Sequence, residues 1–259
     1  MAMDGLWDER ILDRIVQDFP KPDQRDWIKW DTGTELKQTS RGIAGLSPVT
    51  QLFLLHLCSE PFVNMLRELT GINDLVPDPT FFGAGLHECF RDGWLDIHGD
   101  YIRHPHLPLA RRLNLLIYLN RDWDPQWGGD LELWDPATKS LAVKFAPKFN
   151  RTVLFTTTTD ALHGHPHRLA CPDTRSRKLI SVYYWSTDQA LLDNAQEINF
   201  IGNQAGRPRL GWKSFVPPIV RTLRGRLRGI GSSMGPRMWL PPAVFQWKTV
   251  LRDRLKSRL

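Results

Sequence analysis

Leu113-Asn114-Leu115-Leu116-Ile117-Tyr118-Leu119 reads as a buried β-strand, and four runs of similar character follow it: Leu131 to Trp134, Leu141 to Phe145, Thr152 to Thr158 and Leu179 to Trp185. Aromatic and β-branched residues are enriched in them, and Gly128-Gly129, Asp135-Pro136 and Pro147 mark the breaks. Short strands in succession, with no helical period between them, predict a β-sandwich or an open barrel.

Just ahead of the series lies Leu95-Asp96-Ile97-His98-Gly99-Asp100. If Trp94 to Asp100 is extended, His98 and Asp100 leave the same face of the strand and can chelate one ion. His-x-Asp alone is weak evidence, because any chain of this length offers several. A third donor, His163, stands in Ala161-Leu162-His163-Gly164-His165-Pro166, after the strand ending near Thr158. The interval from Asp100 holds enough chain for several strands to return to the same end of a barrel. Two imidazoles and one carboxylate from separated segments are what a site needs to hold Fe(II) on one face and leave the other open for a co-substrate and oxygen.

The blocks around these residues occur in a characteristic order. After His98-Gly99-Asp100 come Arg111-Arg112-Leu113-Asn114-Leu115-Leu116-Ile117-Tyr118-Leu119-Asn120 and Trp127-Gly128-Gly129-Asp130-Leu131-Glu132-Leu133-Trp134. Then follow Pro147, Asn150-Arg151, Phe155, the His163-Gly164-His165-Pro166 turn, and Arg177-Lys178-Leu179-Ile180-Ser181-Val182-Tyr183-Tyr184. In this order, from Gly83 to Thr187, the chain closely resembles the 2-oxoglutarate- and Fe(II)-dependent oxygenases of the prolyl-hydroxylase-like group. The resemblance implies a mainly β fold with flanking helices (α+β), built on a double-stranded β-helix, a distorted jelly roll with metal and 2-oxoglutarate at one mouth.

Carried over by position, the resemblance makes His98, Asp100 and His163 the iron ligands and Arg177 the partner of the distal carboxylate of 2-oxoglutarate. A planar guanidinium suits that task, since it can bind a carboxylate through two parallel hydrogen bonds. Tyr118 matches a tyrosine that in some members donates its hydroxyl to the same carboxylate. Lys178 and Arg175 are neighbouring candidates, but on a strand Lys178 points opposite to Arg177, and Arg175 lies nearer the loop. The implied reaction is that of a dioxygenase using Fe(II), 2-oxoglutarate and O2 to hydroxylate an unactivated C–H, with a prolyl residue of a protein or peptide as first choice of substrate. A small molecule, such as an amino acid, a sugar intermediate or a natural product, is the alternative. A non-catalytic binding module and a halogenase-like variant are both disfavoured by the intact Asp100, because a halogenase needs that position vacated for halide.

Other residues have plainer readings. His165 and His167 flank His163 and compete with it as ligand; His104 and His106 read as loop histidines, and His56 and His87 as structural ones. Trp123, Trp127 and Trp134 read as packing residues, and Gly128-Gly129 as turn chemistry.

At 259 residues and 41% hydrophobic composition the chain can bury one sizeable core with helical additions. No run of apolar residues is long enough to span a bilayer. The segment Met1 to Arg10 lacks an apolar secretory core, and Cys58, Cys89 and Cys171 form neither a zinc-type pair nor an even disulfide set, so a reducing, cytoplasmic location is expected. Residues 1–80 read as an N-terminal helical buttress and loop. Leu12 to Phe19 and Leu52 to Leu69 carry apolar residues at helical spacing, the latter broken near Pro61 and turned at Gly71. Thr32 to Ser47, rich in Thr, Gly, Lys and Ser, reads as a mobile loop able to close over substrate. Residues 81–190 form the oxygenase core and 191–259 a basic C-terminal helical extension. From Gly206 onward the chain carries 13 Lys or Arg residues against one acid, Asp253. Pro217-Pro218 and Pro241-Pro242 each precede apolar residues spaced three or four apart with arginines between, which predicts two basic amphipathic helices. Their basic faces are either solvated surface on helices packed against the core or contacts for an anionic membrane surface or acidic partner. Nucleic acid is disfavoured, because no recognised binding motif accompanies the charge.

Overall fold

Along Ala110–Tyr118 the side chains alternate between two buried faces. Leu113, Leu115 and Ile117 enter the core that also holds the N-terminal helices, while Leu116 and Tyr118 enter a second, separate cluster. A strand covered on both sides needs apolar residues at both parities, which is why this run reads as continuous rather than alternating.

The computed structural model describes residues 1–17, 19, 27–158, 160–193 and 199–200. In chain order its elements are β1 (Ala2–Asp4), α1 (Glu9–Gln17), β2 (Trp27–Asp31), β3 (Glu35–Ser40), α2 (Pro48–Leu57), α3 (Glu60–Thr70), β4 (Val76–Pro77), β5 (Gly85–Cys89), β6 (Trp94–Gly99), β7 (Ala110–Tyr118), β8 (Leu131–Asp135), β9 (Ser140–Phe145), β10 (Arg151–Thr156), β11 (Leu162–His165), β12 (Arg177–Ser186), α4 (Gln189–Asp193) and β13 (Asn199–Phe200). The strands pair in the order β1-β10-β7-β12-β5-β3-β6-β11-β8-β9, and every pairing is antiparallel. Two walls result, β10-β7-β12-β5 and β6-β11-β8-β9, joined through β3. Gln38 and Thr39 of β3 pair with Glu88 and His87 of β5, while Glu35 and Leu36 pair with Leu95 and Trp94 of β6. This is the double-stranded β-helix expected from the blocks of sequence.

The helices cover the outer face of the first wall. Leu12 and Ile15 of α1, Leu54 and Leu57 of α2, and Val63 and Leu66 of α3 join one core with Leu113, Leu115, Ile117, Ile180 and Val182. Removing any one of these large aliphatic groups is the kind of change that costs about 2 to 5 kcal/mol. The Tyr184 hydroxyl adds a polar tie, donating to the Leu57 carbonyl at 2.9 Å. The break between α2 and α3 falls at Cys58 and Ser59, slightly before Pro61, which sits in the first turn of α3 where its missing N–H is not needed. Gly71 ends α3 in the left-handed region, at φ 71°, and its N–H reaches the Arg67 carbonyl at 2.8 Å.

One reading from composition is corrected. The segment from Thr32 to Ser47 is not a loop throughout, because it contains β3. Its polar side chains are compatible with a buried strand because each finds a partner: Gln38 donates to Glu88 at 2.9 Å, Thr39 accepts from the Trp30 indole at 3.0 Å, and the Ser40 hydroxyl accepts from the Leu86 N–H at 3.0 Å. The N-terminal segment is likewise more than helix and loop, since β1, β2 and β4 also join the sheet. Toward the other end, β13 pairs with His98 and Gly99 of β6. The basic helices expected after Pro218 and Pro242 lie outside the described residues. No described helix is long and apolar enough to cross a membrane.

Between β6 and β11 the register shifts by one residue, from His163 opposite His98 to His165 opposite Leu95. That bulge brings the backbone of β6 against Gly164, where an added Cβ would lie 2.7 Å from the Leu95 oxygen and 2.8 Å from the Asp96 oxygen. Backbone atoms cannot rotate away as a side chain would. Gly164→Ala should therefore cost about 1 to 3 kcal/mol through overpacking, read as a melting temperature lowered by several degrees. An unchanged melting temperature would mean that β6 yields at no cost.

Candidate active site

His98 and Asp100 leave the end of β6 on one side, and His163 faces them from β11 across the register pair His163–His98. One ligand atom from each lies within 4.8 Å of the others. His98 Nε2 is 3.7 Å from Asp100 Oδ1, and His163 Nε2 is 3.4 Å from Asp100 Oδ2. All three side chains are buried. Backbone carbonyls set the tautomers: His98 Nδ1 donates to the Asp96 oxygen at 2.9 Å and His163 Nδ1 to the Ala161 oxygen at 3.0 Å. With the proton on Nδ1, each ring turns the lone pair of Nε2 toward the cluster, as a metal-binding imidazole requires. Burial pushes His163 down to about 4 despite the neighbouring Asp100 carboxylate, so its ring is neutral at pH 7.

Asp100 is anchored from β7. Its Oδ2 accepts from Asn114 at 2.8 Å and pairs with the Arg111 guanidinium at 3.1 Å, while Arg111 Nε donates to the Asn114 side-chain oxygen at 2.8 Å. Burial opposes ionisation of Asp100, but the cation of Arg111 and the adjacent His163 and His98 outweigh it and hold the carboxyl well below the usual range. Arg111 in turn lies 3.4 Å from the centre of the Tyr183 ring. Simple alternation would place Arg111 with Leu113 and Leu115 on the helix-facing side. The register shift between Tyr184 and Trp185, which skips Arg112, turns Arg111 onto the Asn114 face instead.

Across β7 and β12 three pairs descend into the barrel: Asn114 with Tyr183, Leu116 with Ser181, and Tyr118 with Leu179. Asn114 meets Asp100 at one level, and Arg177 meets Tyr118 at the other end of the same cavity. Arg177 is buried; its Nε donates to the Gly129 carbonyl at 2.7 Å and its terminal nitrogen to the Tyr118 hydroxyl at 3.2 Å. Gly129 does more than turn the chain, since a Cβ there would stand 2.9 Å from Arg177 Cδ. Lys178 points the other way, to Glu88 at 2.9 Å, and Arg175 reaches the Arg121 carbonyl on the loop side.

His98, Asp100, His163 and Arg177 line one cavity, and Tyr118 touches it through Arg177. The other histidines divide. His104 is buried against Asp78 at 3.2 Å, and His167 is exposed beside Glu132. His87 corrects its reading as purely structural, because it lines the cavity while bonding to the Gly83 carbonyl at 3.2 Å. His165 lines the cavity too. Sequence reasoning gave no role to Lys37, Arg111, Asn114 or Tyr183. For Asn114 and Tyr183 a signal existed, their parity with Tyr118 and Arg177; Lys37 had none, because its strand was read as a loop.

A model of the 2OG-Fe(II) oxygenase superfamily matches residues 84–185, the stretch that carries both ligand segments and Arg177. The chain carries a 2OG-Fe(II) oxygenase domain. Its activity is that of a 2-oxoglutarate-dependent dioxygenase, with Fe(II), 2-oxoglutarate and O2 as reactants. Among solved structures it is similar to a Pseudomonas putida prolyl-4-hydroxylase, at 15% identity over 72% of this chain and 90% of that one, with a TM-score of 0.50. It is also similar to a Trichoplax adhaerens prolyl hydroxylase in complex with a hypoxia inducible factor oxygen degradation domain peptide fragment, at 16% identity over 76% and 87% of the two chains, with a TM-score of 0.52. At these identities the likeness is one of fold. No curated protein matches the chain in sequence.

Burial, reinforced by the charge of Lys37, lowers His87 to about 3, so it and His163 stay neutral in the folded protein across the range where unfolded histidine takes up a proton. Both folded values lie below the unfolded one of about 6.5, so the metal-free protein is fully stable above that pH and loses stability as pH falls toward 4. Each ring contributes at most about 1.4 kcal/mol per pH unit. Urea unfolding of metal-free protein at a series of pH values should show this decline; a flat profile would place both rings in water.

Proposed function

We propose that His98, Asp100 and His163 hold Fe(II), that Arg177 with Tyr118 binds the far carboxylate of 2-oxoglutarate, and that the enzyme hydroxylates a prolyl residue of a protein or peptide. The observation that carries the assignment is the convergence of two Nε2 lone pairs and one carboxylate in the cavity that Arg177 closes at its other end. The donor set fits the metal: two neutral imidazoles and a carboxylate are the facial ligand set of non-haem Fe(II) oxygenases.

When bound, Fe(II) and 2-oxoglutarate supply the oxidative chemistry, in which 2-oxoglutarate and O2 yield succinate and carbon dioxide and one oxygen atom enters a substrate C–H bond. The protein's residues do the positioning. Arg111 and Asn114 occupy Asp100 Oδ2 and fix the plane of the carboxylate, while the Asp96 and Ala161 carbonyls fix the two rings. Arg177, held by Gly129 and Tyr118, presents its guanidinium without having to reorganise. No side chain is required to act as acid or base. The prolyl reading is supported by the similarity of fold to prolyl hydroxylases; a small molecule is the other outcome that a substrate search tests.

Anaerobic protein with Fe(II) and 2-oxoglutarate should show the weak visible charge-transfer band of a chelated complex, and His163→Ala or Asp100→Ala should abolish it. A full-strength band in both variants would remove the ligand assignment. Arg177→Ala should weaken 2-oxoglutarate binding more than about tenfold, since losing a buried charged partner costs about 2 to 5 kcal/mol, with Fe(II) binding retained; Arg177→Lys should recover part of it. Incubation of peptide and metabolite pools with O2, read by mass spectrometry for a gain of one oxygen, tests the substrate. A gain on metabolites alone would set the prolyl reading aside.

A further inference from the structure

His165 is unexplained by the site as described. It lies two residues beyond His163 on β11, lines the same cavity, and is 5% exposed. Its Nδ1 is buried with no hydrogen-bond partner among the described residues. Leaving a polar atom in that state costs roughly 1 to 3 kcal/mol, and such a group in a folded protein calls for a specific reason. Three other polar side chains that line the cavity have partners: Lys37 pairs with Glu35 at 2.9 Å, His87 with the Gly83 carbonyl, and Arg111 with Asp100.

Register gives its depth. His163 is opposite His98, and His165 is opposite Leu95, three residues further from Asp100 along β6. That step leads away from the mouth, where Asp100, Asn114 and Arg111 meet, and toward the end held by Arg177. His165 therefore stands between the metal cluster and the guanidinium, alongside the path that a molecule bridging the two must follow. It is not part of the cluster itself, which comprises His98, Asp100 and His163 among the described residues.

We propose that His165 is a positioning residue for 2-oxoglutarate, its imidazole donating a hydrogen bond to a carboxylate oxygen of the co-substrate. This rests on the assignment of Fe(II) and 2-oxoglutarate made above. A neutral imidazole has one N–H to give, and an ionised carboxylate has only acceptors, so the two are matched without any change of charge. The unsatisfied nitrogen is then a prepared binding group.

The test is an anaerobic titration of 2-oxoglutarate into Fe(II)-loaded protein, followed by the visible band and, independently, by calorimetry with N-oxalylglycine as a non-reacting analogue. His165→Leu should raise Kd for both compounds roughly tenfold or more, the size of one hydrogen bond to a charged group, while Fe(II) affinity and the band at saturation stay as in wild type. His165→Asn, which keeps an N–H donor, should recover part of the loss. If the Leu variant does not fold, His165→Phe preserves the ring shape and carries the comparison. A Kd indistinguishable from wild type in the apolar variants would overturn the proposal, and so would loss of Fe(II) binding, which would make His165 a ligand. Absence of the band in wild-type protein at saturating 2-oxoglutarate would instead sink the underlying assignment, and this inference with it.

Discussion

Two imidazoles and a carboxylate, buried within a few ångströms of one another, repel as lone pairs and lose hydration; everything around them in this protein is arranged to hold them there. The carboxylate is the costly member. Arg111 meets it from the opposite wall with an ion pair and Asn114 with a hydrogen bond, and their own mutual bond makes a closed triangle of polar groups. Breaking one side of such a buried pair is far more damaging than the pair is stabilising, because an unpaired charge is left without water. The site is thus a constraint on both walls: β6 and β11 provide donors, and β7 provides the groups that make those donors tolerable.

Irregularities in the sheet do the aiming. A regular strand would send Arg111 outward to the helices, and a regular pairing of β11 with β6 would set His165 opposite Asp96 rather than Leu95. On β7 a single skipped residue, Arg112, changes the face of a side chain, which is the coarsest adjustment that a pleated strand permits. Glycine stands where neighbours approach closely, at Gly164 against the β6 backbone and at Gly129 against the Arg177 side chain. The functional geometry depends on these local departures as much as on the overall architecture.

That distinction explains what could be read from the amino-acid sequence. The apolar runs that became β7, β8, β10 and β12 were legible because packing on buried faces demands apolar residues there, whereas β9, whose Leu141 and Val143 are exposed, was marked by its flanking turns. The His98 and Asp100 pair was legible from strand parity, and the full set with His163 from the family resemblance of the ordered blocks. Arg177 and Lys178 likewise separate by parity. Strand β3 was not legible: its Glu35, Lys37, Gln38 and Ser40 are polar, and only their partners on β5 and on β3 itself, unknown from sequence, make them strand residues. Arg111 was hidden by the bulge, and His87 and Lys37 by the absence of any spacing that links them to the ligands.

The joining strand carries a further consequence. His98 and His163 belong to one wall, whereas Arg177, Tyr118 and the residues that brace Asp100 belong to the other. Among the described strands, the hydrogen-bonded path from β5 to β6 runs through β3. Each wall keeps its own ladder if that seam parts, so secondary structure survives, yet the distance between the donors and the guanidinium is no longer defined. The grip on a ligand that must span both walls therefore depends on that seam and on the ties of Asp100 to Arg111 and Asn114. A short polar strand from the N-terminal third of the chain, which contributes no ligand atom to the cluster, thereby sets the length of molecule that the cavity can accept.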